Sequence, residues 1–330
     1  MSGFDKLSVL IVGCGNIAGD LDTNNLDLDQ ASLTHAGAYT ANQNFIIKAC
    51  VDISQDKSNR FASYWDIPNA YKSIDQAIQA GVGYDVISIC TPTDCHYENL
   101  IACLLLSPRL VFCEKPVTSS VKDTLKIKAA YEQAGVLLVI NYSRRWDERV
   151  LSLRKEIETG GRGSLRSVVA YYNKGILNNG SHLLDLLGFL VGKMIIKNVG
   201  HADYDFFKDD PSVCVTLETG LDIPVILVPG AKACEYSIFE MQMVFDNSML
   251  IMLDGGLRWV ERRAGESDVF DGYRVLDSGI ESQGGYLGTM SNAVANIWAA
   301  LARGDPLNST IDTALISHKL CEKILKACKR

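Results

Sequence analysis

Val9-Leu10-Ile11-Val12-Gly13-Cys14-Gly15-Asn16-Ile17-Ala18 runs from an apolar stretch into a G-x-G-x-x-A turn. Leu7–Val12 has the continuous apolar character of a strand buried on both faces. Each small residue after it has a physical task. Gly13 permits a tight turn, Gly15 lets a pyrophosphate approach the backbone, and Ala18 lets the following helix pack on the sheet. The helix start offers unpaired N–H groups and the positive end of its dipole to phosphates. A plain strand-to-helix turn would also contain such glycines, so the surrounding pattern has to decide.

Downstream, Phe45–Val51, Val86–Cys90, Leu110–Cys113 and Val136–Ile140 repeat the strand character, with helical segments between them. Ser73-Ile74-Asp75-Gln76 is a capping box, and Gly81 suits a left-handed stop. Ser120 opens another helix, which runs to Gly135. Strands alternating with helices predict a doubly wound parallel sheet. The second strand ends at Asp52, where a carboxylate grips ribose hydroxyls and repels a 2′-phosphate, so NAD is expected over NADP. An N-cap role for the helix near Ser54 is compatible with this. Asp52 lies farther from the turn than the usual ~20 residues, and the surplus falls in an Asp- and Asn-rich insertion, residues 20–34. Asp20, Asp22 and Asn24 match early ligand positions of a calcium loop. Asn25 stands where that loop needs Gly, and Ala31 where it needs Glu, so no metal is expected.

After about residue 141 the texture changes. A helix is expected from Asp147 to Glu158, followed by strands at Leu165–Tyr172, Val213–Leu217, Ile223–Val228, Ile238–Phe245 and Met249–Leu253. Their alternation predicts a largely antiparallel sheet with one packed face. Helices near Ser291–Leu301 and Ile311–Ala327 close the chain. The expected fold class is α/β: a dinucleotide-binding Rossmann domain, residues 1–141, and an α/β domain with an open sheet, residues 142–330.

Composition narrows the function. The 330 residues are 47% hydrophobic and carry a net charge of −7, a poor match for nucleic acid or anionic lipid. A small-molecule partner is expected instead. Ten cysteines include no C-x-x-C pair, and several, such as Cys90 and Cys113, sit in apolar runs as small hydrophobes. That usage, the lack of an ~18-residue apolar span and the absence of a leader pattern at Met1–Lys6 predict a soluble cytoplasmic protein. There is no H-E-x-x-H, P-loop or G-x-S-x-G.

Three further motifs are Asp85-Val86-Ile87-Ser88-Ile89-Cys90-Thr91-Pro92-Thr93-Asp94-Cys95-His96, then Cys113-Glu114-Lys115-Pro116, then Gly180-Ser181-His182-Leu183-Leu184-Asp185. In this order, after the glycine turn, the chain resembles the glucose–fructose oxidoreductase and inositol dehydrogenase family (Gfo/Idh/MocA). The resemblance implies NAD(P)-linked oxidation or reduction of a sugar-like alcohol or ketone. The run through Lys174–His182 is similar to members linked to cell-surface sugar biosynthesis, which extends the substrate class to nucleotide sugars. It also implies a homodimer or homotetramer built through the open sheet, and last helices that return toward the first domain.

By position, Lys115 matches the family's catalytic lysine, a cation able to stabilise developing alkoxide. His182 matches its acid–base histidine, with Asp185 one helical turn on to orient it or contact a substrate hydroxyl. The cofactor shell is expected from Gly13, Gly15, Asn16, Ile17, Asp52 and Ile53 at the adenosine and phosphate end. Thr91, Pro92, His96, Glu114 and Lys115 complete it toward the nicotinamide. Asn178 departs from the pattern, since many catalytic members carry Asp there; an amide can bind substrate but cannot accept a proton as a carboxylate does. Arg144 and Arg145, which follow Asn141 after the sixth strand, are candidates for an anionic substrate group or for an interdomain salt bridge. Two rival readings stay open: a non-catalytic dinucleotide-binding regulator, and NAD-assisted elimination or hydrolysis.

Overall fold

The computed structural model describes residues 6–24, 32–230 and 236–328. The chain divides into two compact units, Met1–Trp146 with Leu287–Leu315, and Asp147–Tyr286 with Ile316–Arg330.

In the first unit, β1 (Leu7–Val12) leads into a π-helical turn (Asn16–Asp20) and a short α1 (Leu21–Asn24), then α2 (His35–Ala41) and β2 (Phe45–Val51). Next come α3 (Gln55–Tyr64), β3 (Asn69–Tyr71), α4 (Ile74–Gln79), β4 (Val86–Ile89) and α5 (His96–Leu104). The series ends with β5 (Leu110–Cys113), α6 (Val121–Ala134) and β6 (Leu137–Ile140). The six strands are parallel in the order β3-β2-β1-β4-β5-β6. Every residue of β4 and β5 is buried, which is why these strands read as unbroken apolar runs. Val9, Ile11, Phe112 and Val139 pack on one face; Leu10, Val12, Ile87, Val111 and Ile140 pack on the other. Ser73 and Ser120 cap α4 and α6 through the N–H groups of Gln76 and Asp123. Gly81 and Gly135 take positive φ after those helices.

Three local expectations are corrected. β3 escaped the sequence reading because it has three half-buried residues and no apolar run. Cys90 and Val136 fall just outside their strands. The glycine turn leads into a π-helical turn and four α-helical residues, rather than one continuous helix. Gly19 packs there so closely that a Cβ would clash with Trp65 Nε1.

The insertion is closed at its base by Asp22. Its carboxylate accepts the Leu33 N–H at 2.9 Å, the Thr34 N–H at 3.2 Å and the Thr34 hydroxyl at 2.6 Å. Thr34 in turn caps α2. Asp22 is thus occupied as a loop clamp. The mismatched calcium positions Asn25 and Ala31 lie outside the described residues, and no metal-binding cluster occurs among the described residues.

The second unit begins with α7 (Glu148–Glu158), capped by the Asp147 carboxylate, followed by β7 (Leu165–Tyr172), a π-helical turn (Gly175–Gly180) and α8 (Ser181–Val191). Then come β8 (Met194–Asp203), β9 (Ser212–Thr219), β10 (Pro224–Pro229), β11 (Phe239–Phe245) and β12 (Ser248–Leu253). The strands β13 (Arg258–Glu266), β14 (Arg274–Leu276) and β15 (Ile280–Gln283) complete it. The sheet order is β14-β13-β12-β11-β7-β10-β9-β8, with β15 on β13. The β10–β7 pair is parallel and the other pairs are antiparallel. β11 and β12 alternate buried and half-buried residues along their length, as a sheet with one packed face requires.

Two helices end the chain. α9 (Thr289–Arg303) places Met290, Ala293, Val294 and Ile297 in the core of the first unit. α10 (Ile311–Cys328) gives Ile311, Ala314 and Leu315 to that unit and Leu320, Cys321 and Ile324 to the core of the second. No helix among the described residues is long and apolar enough to cross a membrane.

Candidate functional site

In the first unit, the expected cofactor residues follow the carboxyl ends of adjacent strands: Gly13 and Gly15 after β1, Asp52 after β2, Thr91 after β4 and Glu114-Lys115 after β5. The strand order changes direction between β1 and β4, where ligands collect in open α/β sheets. Gly13 has φ +90° and no room: a Cβ would lie 2.8 Å from the Cys90 carbonyl carbon. Gly15 differs. The nearest atom to its added Cβ would be Lys57 Nζ at 3.6 Å, so its backbone is open to a phosphate group. Asn16 beside it is exposed and Ile17 half-buried. These residues fit a dinucleotide, with Gly15 as the open cradle.

Asp52 does two jobs. One carboxylate oxygen accepts the Cys14 N–H at 3.0 Å and lies 3.8 Å from Lys57 Nζ; the other accepts the Ser54 N–H at 3.0 Å. A carboxylate can take about four hydrogen bonds, so capacity remains for a diol. The helix cap for α3 comes from Ser54 itself, through the Lys57 N–H. Ile53 is 88% exposed, an open apolar surface next to that carboxylate. Sequence reading passed over Lys57, whose place beside Gly15 and Asp52 depends on the packing of α3.

Glu114 and Lys115 lie at the next bend, and the Lys115–Pro116 peptide bond is cis. Glu114 Oε1 receives the Asn141 amide at 2.7 Å and faces His35 Nε2 at 3.0 Å. Burial opposes ionisation of this carboxyl. His35, through its hydrogen bond and then its charge interaction, with the Asn141 hydrogen bond and the neighbouring Lys115 charge, outweighs burial and holds it below the usual glutamate range. Asn141, expected with Arg144 and Arg145 where ligands gather after the sixth strand, gives its side-chain amide to Glu114.

His96 is 1% exposed. Its Nδ1 lies 2.8 Å from the Pro116 carbonyl and its Nε2 2.8 Å from the Thr91 carbonyl. The ring therefore ties the loop after β4 to the loop after β5. Thr91 is further held by the Asn99 amide at 3.0 Å, and Pro92 is exposed beside it. Arg144 and Arg145 are buried in the short 3-10 turn after β6. Arg145 Nη1 donates to the Asn308 carbonyl at 3.2 Å, inside the same unit.

The second unit holds the other expected group. Asn178 lies in the π-helical turn, and His182 and Asp185 fall one turn apart on α8. His182 is half-buried with its ring 6.5 Å from that of Phe239, edge to face; Asp185 is buried. Sequence reading missed what shapes this turn. Asp210 accepts the Leu177 N–H at 2.8 Å and the Asn178 N–H at 2.9 Å. Asp205 accepts the Lys174 N–H at 2.7 Å. Both carboxylates sit in the segment between β8 and β9, more than thirty residues from the turn they hold, and no local pattern announces them.

Residues 7–142 match the Gfo/Idh/MocA family, described as an oxidoreductase family with an NAD-binding Rossmann fold. That match spans 136 of the 330 residues, the part that carries the parallel sheet. Among curated proteins, a scyllo-inositol 2-dehydrogenase (NADP(+)) of Bacillus subtilis is 31% identical over 90 residues, covering 27% of this chain and 25% of the relative. An inositol 2-dehydrogenase of Rhizobium meliloti is 28% identical over 225 residues, covering 60% and 65%. The matched spans thus cover from a quarter to just under two thirds of these relatives. Solved structures share the fold over nearly the whole chain. An Agrobacterium radiobacter oxidoreductase in complex with NAD+, L-tartaric acid and magnesium gives a TM-score of 0.77 at 14% identity, covering 98% of this chain and 97% of that one. The WlbA dehydrogenase from Bordetella pertussis, in complex with NADH and UDP-GlcNAcA, gives 0.75 at 16% identity, covering 98% and 97%. The first of the three motifs spans β4 and reaches the start of α5, the second begins at the last residue of β5, and the third opens α8.

Proposed function

We propose that this protein is a dehydrogenase or reductase that moves hydride between a nicotinamide dinucleotide and a CH–OH carbon of a sugar-like substrate. The observation that carries the reading is the row of Asp52, the open Gly15, Thr91 and Lys115 at the carboxyl ends of β2, β1, β4 and β5, which lie side by side in that order. The bound dinucleotide would supply the hydride chemistry at its nicotinamide. Gly13, Gly15, Asn16 and Ile17 would hold its phosphates, and Asp52 with Ile53 its adenosine end. Thr91, Pro92 and Glu114 would border the nicotinamide end, with His96 fixing their loops from behind. Lys115 would stabilise charge on the reacting oxygen, and His182 would take or return the proton. Asp185 would orient that histidine, and Asn178 would bind a substrate hydroxyl as donor and acceptor. The buried setting of Arg144 and Arg145 favours a structural part for both.

Asp52 favours NAD, while Lys57 next to it supplies a cation that a 2′-phosphate would meet, so both cofactors belong in the test. Titration of the purified protein with NADH and NADPH, followed by nicotinamide fluorescence, should give tighter binding for NADH. A panel of inositols, free sugars and nucleotide-linked sugars should then show one class that changes absorbance of the cofactor. Lys115→Ala should lower turnover by at least about 100-fold with NADH affinity retained. Full turnover in that variant would sink the assignment; binding without turnover on any substrate would favour a regulator.

A further inference from the structure

The 20–34 insertion ends at Thr34, directly before the histidine that faces Glu114. Thr34, clamped by Asp22, caps α2 and sets His35 as its first residue. The His35 ring is fully buried and packs on Phe112 at 4.5 Å between centroids. Its Nδ1 lies 3.1 Å from Ser88 Oγ and its Nε2 3.0 Å from Glu114 Oε1. One turn along α2, the Tyr39 hydroxyl lies 3.0 Å from the same Ser88 oxygen.

The protons along this chain can be assigned by donor accounting. Burial pushes the Tyr39 phenol up, so it keeps its proton. A buried phenol that failed to donate to Ser88 would strand that proton at a cost of about 1–3 kcal/mol. Ser88 Oγ meets both Tyr39 and His35 Nδ1. An ionised Glu114 can only accept, so the ring's contact with it is made by an Nε2–H donor. The other ionisable groups around Glu114 are Lys115 next in the chain, Cys90 after β4 and Cys113 on β5. Burial and then the Glu114 charge hold both thiols well above their ordinary range, so they stay neutral.

We propose that His35 is a positioning residue for Glu114: through Nε2–H it keeps that side chain a carboxylate beside Lys115, and the Asp22 clamp sets it in place. The functional meaning rests on the reading of Lys115 as the group that meets the reacting oxygen. The charge state itself can be tested without that reading.

The experiment is infrared difference spectroscopy of the full-length protein titrated between pH 8 and 5, with NADH affinity measured in parallel. Wild type should show no protonated-carboxyl band assignable to Glu114 above the ordinary glutamate range. In His35→Leu, burial acts with one donor fewer, and the Glu114 midpoint should rise by about one unit or more. The new band should vanish in His35→Leu/Glu114→Gln. His35→Gln, whose amide can still donate, should restore the wild-type titration. If His35→Leu does not fold, His35→Asn, too short to reach Glu114, serves in its place. An unchanged Glu114 titration in the folded variant would overturn the proposal. A shifted titration in a protein that binds no NADH would instead leave His35 in place and remove the dinucleotide reading.

Discussion

Gly13 and Gly15 belong to one motif, yet the space around them separates their roles. Gly13 combines φ +90° with carbonyl atoms 2.8–2.9 Å from an added Cβ. Gly13→Ala should therefore cost at least about 1–3 kcal/mol in backbone strain alone, seen as a lower unfolding midpoint in urea. Gly15 has φ −103°, which any residue adopts, and open space. Gly15→Ala should keep its stability within about 0.5 kcal/mol while weakening NADH binding about tenfold or more, because the methyl fills the phosphate approach. Equal stability losses in the two variants would contradict this division. The motif was legible because strand, turn and helix packing are local demands. Asp52 was legible only in part: its contact with the Cys14 N–H crosses from one strand end to the next. His35 gave no signal, since its partners Ser88 and Glu114 lie 53 and 79 residues away.

Among elements, the strands of the first unit could be read almost residue by residue, since burial on both faces forces continuous apolar runs. The second sheet was harder. β8 is broken by register shifts and largely open on both faces, and β13 and β15 are mainly polar, so neither periodicity nor hydropathy marks them. The π-helical turn carrying Asn178 was hidden for another reason: it is shaped by distant carboxylates. Asp210 supplies two hydrogen bonds to its N–H groups, each worth about 1.5–3 kcal/mol when the acceptor is charged. Asp210→Ala should lower the stability of the second unit by about 2–4 kcal/mol, read as a lower urea midpoint. Asp210→Asn, with one acceptor left, should lose less. Equal midpoints for wild type and Asp210→Ala would show that the turn holds itself.

Across the whole molecule, acid stability has an identifiable source in the second unit. Arg162 joins Glu156 and Glu261. Burial raises the Glu156 carboxyl, but Arg162 and Arg149 outweigh it; Glu261 is lowered chiefly by Arg162. Both folded values lie below the unfolded value of about 4.3. Their contribution is therefore complete above that pH and lost as pH falls through the folded values. Arg162→Met should move the acid-unfolding midpoint upward, followed by circular dichroism; an unmoved midpoint would assign acid loss elsewhere.

The chain order carries a consequence for synthesis. The sheet of the first unit is complete at Ile140, but Met290, Ala293, Val294 and Ile297, which share a cluster with Val9, Ile11 and Phe112, come far later. At ~5–20 residues per second, a ribosome needs roughly 8–30 s to make the intervening stretch. Throughout that interval the nascent dinucleotide domain has a sheet with one face incompletely covered, while the second unit is still being translated. Ribosomes stalled after Trp146 should therefore present a protease-sensitive intermediate that a chaperone can hold, and stalling beyond Leu315 should protect it.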